Sequence, residues 1–353
     1  MSLSVNIKKT LGSFRLDVSF EAEDATETLA LLGASGCGKS MALKCVAGIE
    51  RPDEGRIVLN DRVLFDSAEH IDVPVQQRRV GYLFQNYALF PTMSVLQNVV
   101  VGVREGTREE REAKAREQIR AFRLEGLEDH KPSELSGGQQ QRCALARIMA
   151  NEPELLLLDE PFSALDGFLR WQLELELSDT LKAFPGGVVF VTHSRDEVYR
   201  MCDRVCVLTA GKSGRTVSTE ELFAEPLTLS ECVISGCKNV SAAAPAGPTS
   251  LACADWGVTL ECGRPVEGCE HAGIRAHYLH VIGAGAVAEA GQNLIECTVD
   301  RVIDNVFSTI VMCGTPGGAQ LRVELDKDAW KALGAPENVT IAVAPADVMP
   351  LRA

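Results

Sequence analysis

The chain has 353 residues, of which 46% are apolar and 24% are charged, and these proportions exclude a disordered chain or a fibre. At about 150 residues per domain, the length predicts two domains. The 35 Lys and Arg residues against 49 Asp and Glu residues give a formal net charge of -14, which makes nucleic acid a poor partner.

No stretch of the sequence approaches the roughly 18 consecutive apolar residues that a membrane-spanning helix needs. The first residues lack the apolar core of a secretory signal, so we expect a soluble, cytoplasmic chain. The 12 cysteines are spread along the chain, and several lie within apolar periodic runs. This spacing favours reduced thiols over a disulfide framework.

Short apolar runs rich in β-forming residues recur in the first part of the chain, separated by longer helical patterns. The runs are Thr28 to Leu32, Arg79 to Phe84, Leu155 to Leu158, Val188 to Thr192 and Arg204 to Leu208. This alternation predicts an α/β domain over residues 1–230, with a largely parallel sheet wrapped by helices. The charged segment from Thr107 to Arg123 is predicted to be one of those helices.

The residue pattern changes near Pro226: helical periodicity ends, and Gly, Pro and small residues separate short strand-like runs. The change predicts a second, smaller and β-rich domain over residues 231–353. The Ala/Pro/Gly-rich stretch from Ser241 to Pro248 is compatible both with a linker and with a surface loop of that domain.

A glycine-rich segment follows the first of the five apolar runs and precedes a helical pattern that begins at Met41. It fits the phosphate-binding pattern G-x-x-x-x-G-K-[ST], in which glycines let successive backbone N–H groups point at phosphate oxygens. The predicted nucleotide contacts are Gly33, Ser35, Gly36, Cys37, Gly38, Lys39 and Ser40. Lys39 is expected to bridge the β- and γ-phosphates, and Ser40 to place its hydroxyl on Mg²⁺.

Two adjacent carboxylates, Asp159 and Glu160, end the apolar run that begins at Leu155. The carboxyl ends of parallel strands are where ligands bind in such sheets, so the pair is predicted to share a nucleotide site with the glycine-rich segment. Asp159 is expected in the magnesium shell, and Glu160 is expected to act as general base towards the attacking water.

The string Leu135-Ser136-Gly137-Gly138-Gln139 resembles the signature motif of ABC-transporter ATPases. The resemblance implies the P-loop ABC-type ATPase fold with a helical subdomain, followed here by a smaller β-rich, barrel-like domain. It also implies a head-to-tail dimer in which the signature of one copy closes over the ATP held by the other. Ser136, Gly137, Gly138 and Gln139 would then contact nucleotide from a helix N-terminus.

Further strings match the motifs of this family in the family's order. Gln85 resembles the Q-loop residue, which contacts Mg²⁺ or its water and senses the γ-phosphate. Asp166, at the end of Ser163-Ala164-Leu165-Asp166, resembles the D-loop residue that reaches across the dimer, and His193 resembles the switch histidine at the γ-phosphate. Phe14 is the first candidate for stacking on adenine, and Phe20 is the second.

The family resemblance implies a transport role at the cytoplasmic face of a membrane. Asn86 to Val95 corresponds to the region that receives a coupling helix of a separate permease, which in turn works with a solute-binding protein. Arg78 to Gln85 resembles the group that imports sulfate, molybdate, polyamines and sugars, and Ser235 to Val240 most resembles the molybdate importers of that group. Molybdate is the first-choice solute, followed by sulfate, polyamine and sugar; a soluble ATPase of DNA repair or translation is the remaining alternative.

The β-rich domain carries no residue of the predicted hydrolytic site, so we expect a regulatory or dimer-stabilising role for it. Lys238, Arg275 and His277 are groups there that could meet an oxyanion, although ordinary surface charges would give the same pattern.

Overall fold

The computed structural model describes residues 2–22, 27–163, 167–282 and 290–353. The chain divides into two compact units, Met1–Thr219 and Glu220–Ala353. The sequence predicts the division after residue 230, eleven residues further along. The difference arises because residues 220–235 are bonded to later residues of the second unit. The guanidinium of Arg275 donates hydrogen bonds to the carbonyls of Phe223 and Ser235, and the N–H of Leu229 donates to the carbonyl of Arg352.

Among the described residues, the first unit contains eleven strands, six α-helices and two short 3-10 helices, Val75–Gln77 and Pro132–Glu134. Its strands are β1 (Leu3–Leu11), β2 (Phe14–Ala22), β3 (Thr28–Leu32), β4 (Glu54–Leu59), β5 (Arg62–Asp66), β6 (Ile71–Asp72), β7 (Val80–Leu83), β8 (Leu155–Asp159), β9 (Gly187–Thr192), β10 (Arg204–Thr209) and β11 (Lys212–Ser218). Its helices are α1 (Lys39–Ala47), α2 (Val95–Gly102), α3 (Arg108–Ala121), α4 (Gly137–Met149), α5 (Gly167–Ala183) and α6 (Arg195–Met201).

The helix α7 (Thr219–Ala224) begins at the last residue of the first unit and continues into the second. The second unit also contains the helices α8 (Leu229–Ile234) and α9 (Lys327–Ala332). Its strands are β12 (Asn239–Pro245), β13 (Ser250–Cys253), β14 (Val258–Glu261), β15 (His271–Ile274), β16 (His280–Ile282), β17 (Asn293–Asp304), β18 (Ser308–Gly314), β19 (Gln320–Asp326), β20 (Asn338–Val343) and β21 (Met349–Leu351).

The strands of the first unit form one mixed sheet in the order β6-β5-β4-β1-β2-β11-β10-β3-β9-β8-β7. The neighbours β10, β3, β9, β8 and β7 run parallel to one another, whereas β1, β2, β4, β5 and β6 pair antiparallel. The parallel strands β3, β8 and β9 are buried along their whole length, which explains why their sequences are continuous apolar runs. The predicted α/β fold is confirmed, but the expectation of a largely parallel sheet is wrong, because antiparallel pairings are as numerous as parallel ones.

Helix α3 lies within the charged segment from Thr107 to Arg123, as predicted. The Thr107 hydroxyl accepts the Glu110 backbone N–H, and the Glu110 carboxylate accepts the Thr107 N–H, so the two residues form a capping box. Together, α2, α3 and α4 pack as the helical part of this unit.

In the second unit the described strands form two five-stranded sheets, β14-β13-β12-β15-β21 and β16-β20-β17-β18-β19. Both sheets contribute to one buried core, which includes Trp256 and Leu260 from the first sheet region and Ile295 and Val323 from the second. The prediction of a β-rich domain is confirmed as two sheets over a shared core. The stretch from Ser241 lies within β12 and the turn that follows it, so it belongs to this domain and is not a linker.

All 12 cysteines are buried free thiols. No helix within the described ranges is both long and apolar enough to cross a bilayer.

Candidate functional site

The predicted catalytic strings meet at one edge of the sheet. Strands β7, β8, β9 and β3 are parallel neighbours, and the pairings of Leu83 with Leu158, Asp159 with Val191, and Leu32 with Thr192 bring their carboxyl ends level. At or just after these ends lie Gln85, the pair Asp159 and Glu160, His193 and the glycine-rich loop. Sequence positions up to 160 residues apart therefore share one edge, as parallel topology requires.

The glycine-rich loop connects β3 to α1 in tight contact with its surroundings. A Cβ atom at Gly33 would lie 2.4 Å from the carbonyl oxygen of Leu208, so the loop backbone leaves no room for a side chain there. Gly36 and Gly38 have φ angles of +80° and +104°, in the left-handed region that glycine adopts at little cost. Gly38 caps α1 without a side chain, which leaves backbone N–H groups of the first turn available to an anion.

Lys39 is the first residue of α1 and is only 4% exposed. Its ammonium group donates hydrogen bonds to the carbonyl oxygens of Gly33 at 2.7 Å and Ala34 at 2.9 Å. The lysine therefore folds back over its own loop. Ser35 and Gly36 are exposed at the rim of the loop, and Cys37 is buried beneath it.

Ser40 and Asp159 form a pair of hard oxygen ligands. The Ser40 hydroxyl donates to Asp159 Oδ1 at 2.7 Å, and Tyr82 donates its hydroxyl to Asp159 Oδ2 at 2.8 Å. Oxygen ligands of this kind suit Mg²⁺, which keeps several positions for water and phosphate oxygens, so the residues present fit that ion. In the parts of the chain that the structure describes, no three His, Cys, Asp or Glu side chains gather into a metal cluster.

Tyr82 was not identified from the sequence as a site residue. It lies on β7, beside β8, and burial together with the charge of Asp159 raises the pKa of its phenol far above the ordinary value. The phenol therefore stays protonated and acts as a fixed hydrogen-bond donor to the carboxylate. Position on the strand next to Asp159 was the available signal, but strand order is not readable from one sequence.

Glu160 and His193 are in direct contact. His193 Nδ1 lies 3.2 Å from Glu160 Oε1, with the carboxylate side chain 18% exposed and the imidazole 49% exposed. Glu160 has a φ of +47°, an unusual conformation for a residue with a side chain, and its N–H donates to the Val191 carbonyl at 2.9 Å. That hydrogen bond holds the strained residue at the end of β8, so the carboxylate faces the histidine that follows β9.

The signature string opens α4, as the Ser136 prediction requires. Ser136 is the N-cap, with its hydroxyl accepting the Gln139 N–H at 3.3 Å, while Gln139 Oε1 accepts the Ser136 N–H at 2.8 Å. A Cβ atom at Gly138 would approach Leu173 Cδ1 to 3.0 Å, so glycine permits the packing of α4 against α5. Ser136, Gly137 and Gln139 are placed together at one helix N-terminus.

The remaining predicted residues differ in what the structure says of them. Gln85 follows β7 and is exposed, whereas Asp166 lies outside the described residues. The Phe14 ring is partly buried, and its Cζ lies 3.0 Å from the Cβ position of Gly38, beside the phosphate loop. Phe20 is 2% exposed in the core, so it is unavailable for stacking on a base and the second-choice assignment is wrong.

A surface cleft of about 730 Å³ lies beside the segment that follows Gln85. Phe90, 42% exposed, lines it, and the Arg147 guanidinium sits over the Phe90 ring at 5.4 Å from the centroid. Arg147 also donates to the carbonyls of Ala88 at 2.8 Å and Tyr87 at 3.0 Å, both of which have positive φ. This arginine, which the sequence reasoning missed, fixes the shape of the segment.

The cationic groups singled out in the second unit differ in their surroundings. Arg275 donates to the carbonyls of Ser235 and Phe223 and to the Ser235 hydroxyl, so its guanidinium is engaged in holding α7 and α8. Lys238 and His277 are exposed, and the His277 ring packs edge-on against Tyr278. The hypothesis that Arg275 binds an oxyanion is not supported by this geometry.

Comparison with known proteins gives one family model, ABC transporter, which matches residues 16–163. The chain is 44% identical over 214 residues to an Fe(3+) ions import ATP-binding protein of Haemophilus influenzae, covering 60% of each chain. It is also 44% identical over 205 residues to a spermidine/putrescine import ATP-binding protein of Oleidesulfovibrio alaskensis, covering 58% of this chain and 53% of the relative. The match thus spans between about half and three fifths of the length of these relatives.

Two further matches cover nearly the whole length of the protein that is matched. A sulfate/thiosulfate import ATP-binding protein of Burkholderia mallei is 35% identical over 337 residues, covering 93% of this chain and 92% of that protein. A solved dimeric ATP-binding cassette, in a post-hydrolysis state with ADP and Pi, matches with a TM-score of 0.52 and 29% identity, covering 62% of this chain and 99% of that one.

Proposed function

This chain belongs to the ABC transporter family of ATPases, and we propose that it binds ATP with Mg²⁺ and hydrolyses it to power import of a small solute. The observation that carries the proposal is the meeting of three elements at one sheet edge. These are the Lys39 loop, the Ser40–Asp159 pair and the Glu160–His193 contact.

Each of these groups has a chemical task in phosphoryl transfer. The Lys39 ammonium and the loop N–H groups balance the negative charge of the β- and γ-phosphates, in the ground state and as charge redistributes. Ser40, Asp159 and Gln85 would hold Mg²⁺, which supplies further charge neutralisation at the phosphate oxygens. Glu160 accepts the proton of the attacking water, and His193, hydrogen-bonded to Glu160, contacts the γ-phosphate.

A second copy of this chain is the proposed partner that completes the site. The Ser136 helix N-terminus, with Gly137 and Gly138, is suited to meet the γ-phosphate of nucleotide bound by the other copy, and Asp166 would reach across the same interface. The solved relative described above is itself dimeric, which supports this arrangement. Phe14 beside Gly38 is the proposed stacking partner of adenine.

A separate membrane permease is the proposed transport partner, with a solute-binding protein acting through it. The cleft beside Phe90 offers an aromatic surface held in place by Arg147, which suits an inserted helix of the permease. The chain would then be peripheral at the cytoplasmic face of the membrane. The names of the three relatives as importer ATP-binding proteins support this placement.

For the solute we propose an oxyanion, with molybdate first and sulfate next; polyamine and sugar import are the alternatives. The relative that matches across the β-rich unit as well as the ATPase unit is named for sulfate and thiosulfate. Molybdate and sulfate are both tetrahedral dianions, so this relative favours the class. The β-rich unit is proposed to be regulatory or dimer-stabilising.

Phosphate release from ATP by the purified full chain, measured with Mg²⁺ and again with excess EDTA, tests the hydrolytic proposal. Turnover that requires Mg²⁺ is expected, and turnover no faster than spontaneous hydrolysis would overturn it. The solute is then tested with the co-purified permease and binding protein, by comparing stimulation of ATPase activity with molybdate, sulfate, spermidine and maltose. Stimulation by spermidine or maltose alone would contradict the oxyanion assignment.

A further inference from the structure

A buried threonine closes the turn that carries His193. Thr192 is the last residue of β9 and is 2% exposed. Its hydroxyl donates to Glu197 Oε2 at 2.6 Å and accepts the Ser194 backbone N–H at 3.0 Å. The second bond spans the histidine, so the backbone on its carboxyl side is fixed by the threonine side chain.

Glu197 connects this turn to α6. It is 1% exposed, and its own N–H donates to the Ser194 hydroxyl, which caps α6, at 3.4 Å. Its other carboxylate oxygen, Oε1, accepts a hydrogen bond from Arg170. A carboxylate this deeply buried requires paired charge and hydrogen bonds, and Arg170 together with the Thr192 hydroxyl supplies both.

The pairing continues along α5. Arg170 Nε lies 3.4 Å from Glu174 Oε1, and Glu174 Oε2 lies 2.5 Å from Arg200 Nη2. Two carboxylates and two guanidinium groups therefore balance in charge between α5 and α6. In sequence, α5 begins directly after Asp166, the residue that resembles the D-loop aspartate.

We propose that Thr192 and Glu197 are positioning residues for His193, held in turn by Arg170. The inference rests on the proposed function, because it assigns a role to the turn that carries the switch histidine. Among the residues that the structure describes, the hydrogen bonds of the Thr192 hydroxyl go to Ser194 and Glu197. Its effect on hydrolysis therefore passes through the orientation of the imidazole towards Glu160.

The test compares Thr192→Val, which removes the hydroxyl at nearly constant volume, with Thr192→Ser, which keeps it. The readout is the imidazole ¹³C–¹H NMR signal of His193 in nucleotide-free protein, assigned by its loss in His193→Gln, alongside kcat and KM for ATP. Thr180→Val is the matched control, because the Thr180 hydroxyl also donates one hydrogen bond, to the Glu176 carbonyl, on α5 away from the turn.

We expect Thr192→Val to shift the His193 signal and to lower kcat at least fivefold with KM changed less than twofold. Thr192→Ser should restore both properties, and Thr180→Val should leave both unchanged. Glu197→Gln replaces one acceptor oxygen at nearly constant size and should shift the same NMR signal. It provides the decisive comparison if Thr192→Val does not fold.

An unchanged His193 signal in Thr192→Val or Glu197→Gln overturns the inference, as does an equal shift in Thr180→Val. Because the NMR comparison needs no nucleotide, it decides the positioning role even if wild-type protein fails to hydrolyse ATP. Failure of the inference and failure of the proposed function are therefore distinguishable.

Discussion

The hydroxyl of Ser40 lies 2.7 Å from Oδ1 of Asp159, although the two residues are 119 positions apart in the sequence. One residue belongs to the start of α1 and the other to the end of β8. Their contact joins the glycine-rich loop to the end of β8, so we expect a substitution of either residue to disturb both the proposed phosphate site and the proposed magnesium site.

Replacing Lys39 by Ala should lower ATP hydrolysis at least 100-fold and weaken ATP binding, because the ammonium group neutralises negative phosphate charge in both the ground state and the transition state. The measurements are phosphate release and titration with a fluorescent ATP analogue. Lys44→Ala, on the same helix, is the control and should retain turnover within twofold. Retained turnover in Lys39→Ala would contradict the assigned phosphate site.

Glu160→Gln should keep ATP binding and lose hydrolysis, since an amide preserves the shape but does not accept the proton of water. The uncleaved ATP should then hold two copies together, giving a dimer in size-exclusion chromatography with ATP and Mg²⁺. Glu154→Gln is the matched control, because Glu154 precedes the same strand and pairs with Arg62 and Arg79 away from the site. A Glu160→Gln protein that binds ATP yet remains monomeric would count against the shared site.

Phe90→Glu should leave basal ATPase activity within twofold and abolish its stimulation by the permease. The ring is 42% exposed and lies under Arg147, so the new carboxylate can pair with that guanidinium without disturbing the core. Leu175→Glu, at another exposed apolar position, is the control for added surface charge. If Phe90→Glu fails to fold, the ring is a packing residue and the coupling assignment at this position is wrong.

Alkaline pH should destabilise the fold through its buried thiols. Burial raises the pKa of the Cys45 thiol from 9.0 to about 12, so the unfolded chain releases this proton at lower pH than the folded chain. The stabilisation is complete below pH 9 and is lost as pH rises towards 12, at about 1.4 kcal/mol per pH unit for one thiol.

Denaturant titration of wild type and Cys45→Ala at pH 8 and pH 10 measures this effect. The difference in free energy of unfolding between the two proteins should shrink by about 1.4 kcal/mol at the higher pH. Val46→Ala is the control, since Val46 is equally buried on α1 and does not titrate, so its difference should not change. A pH-independent difference for Cys45→Ala would contradict the thiol assignment.

Arg275→Ala should destabilise the β-rich unit by about 2–3 kcal/mol, because its loss leaves two carbonyls and the Ser235 hydroxyl without their donor. Calorimetric unfolding of the full chain measures this change, and Arg301→Ala, at an exposed position of β17, serves as the surface control. Calorimetric titration with molybdate or sulfate should give the same heat signal for the wild-type protein and for Arg275→Ala. An oxyanion signal lost only in Arg275→Ala would restore the effector hypothesis.

Motifs with fixed backbone demands were predictable from the sequence. The Lys39 loop, the carboxylates at the end of β8 and the Ser136 cap each depend on residues close in the chain, and the structure places each where its local pattern predicts. Contacts that depend on strand order or helix packing were not predictable. Tyr82 beside Asp159 and Arg170 on Glu197 join segments whose adjacency no local periodicity encodes.

At Ser136, the ability to cap a helix and the ability to accept a phosphate nearby make different demands on the side chain. Aspartate caps helices about as well as serine does, since either side chain accepts the N–H of the first turn. A hydroxyl that accepts the Gln139 N–H still has a hydrogen to donate, whereas a carboxylate has none and carries the same sign of charge as phosphate. A Ser136→Asp chain would therefore fold with α4 intact while carrying a negative charge at the surface that, in the proposed dimer, faces the nucleotide of the other copy.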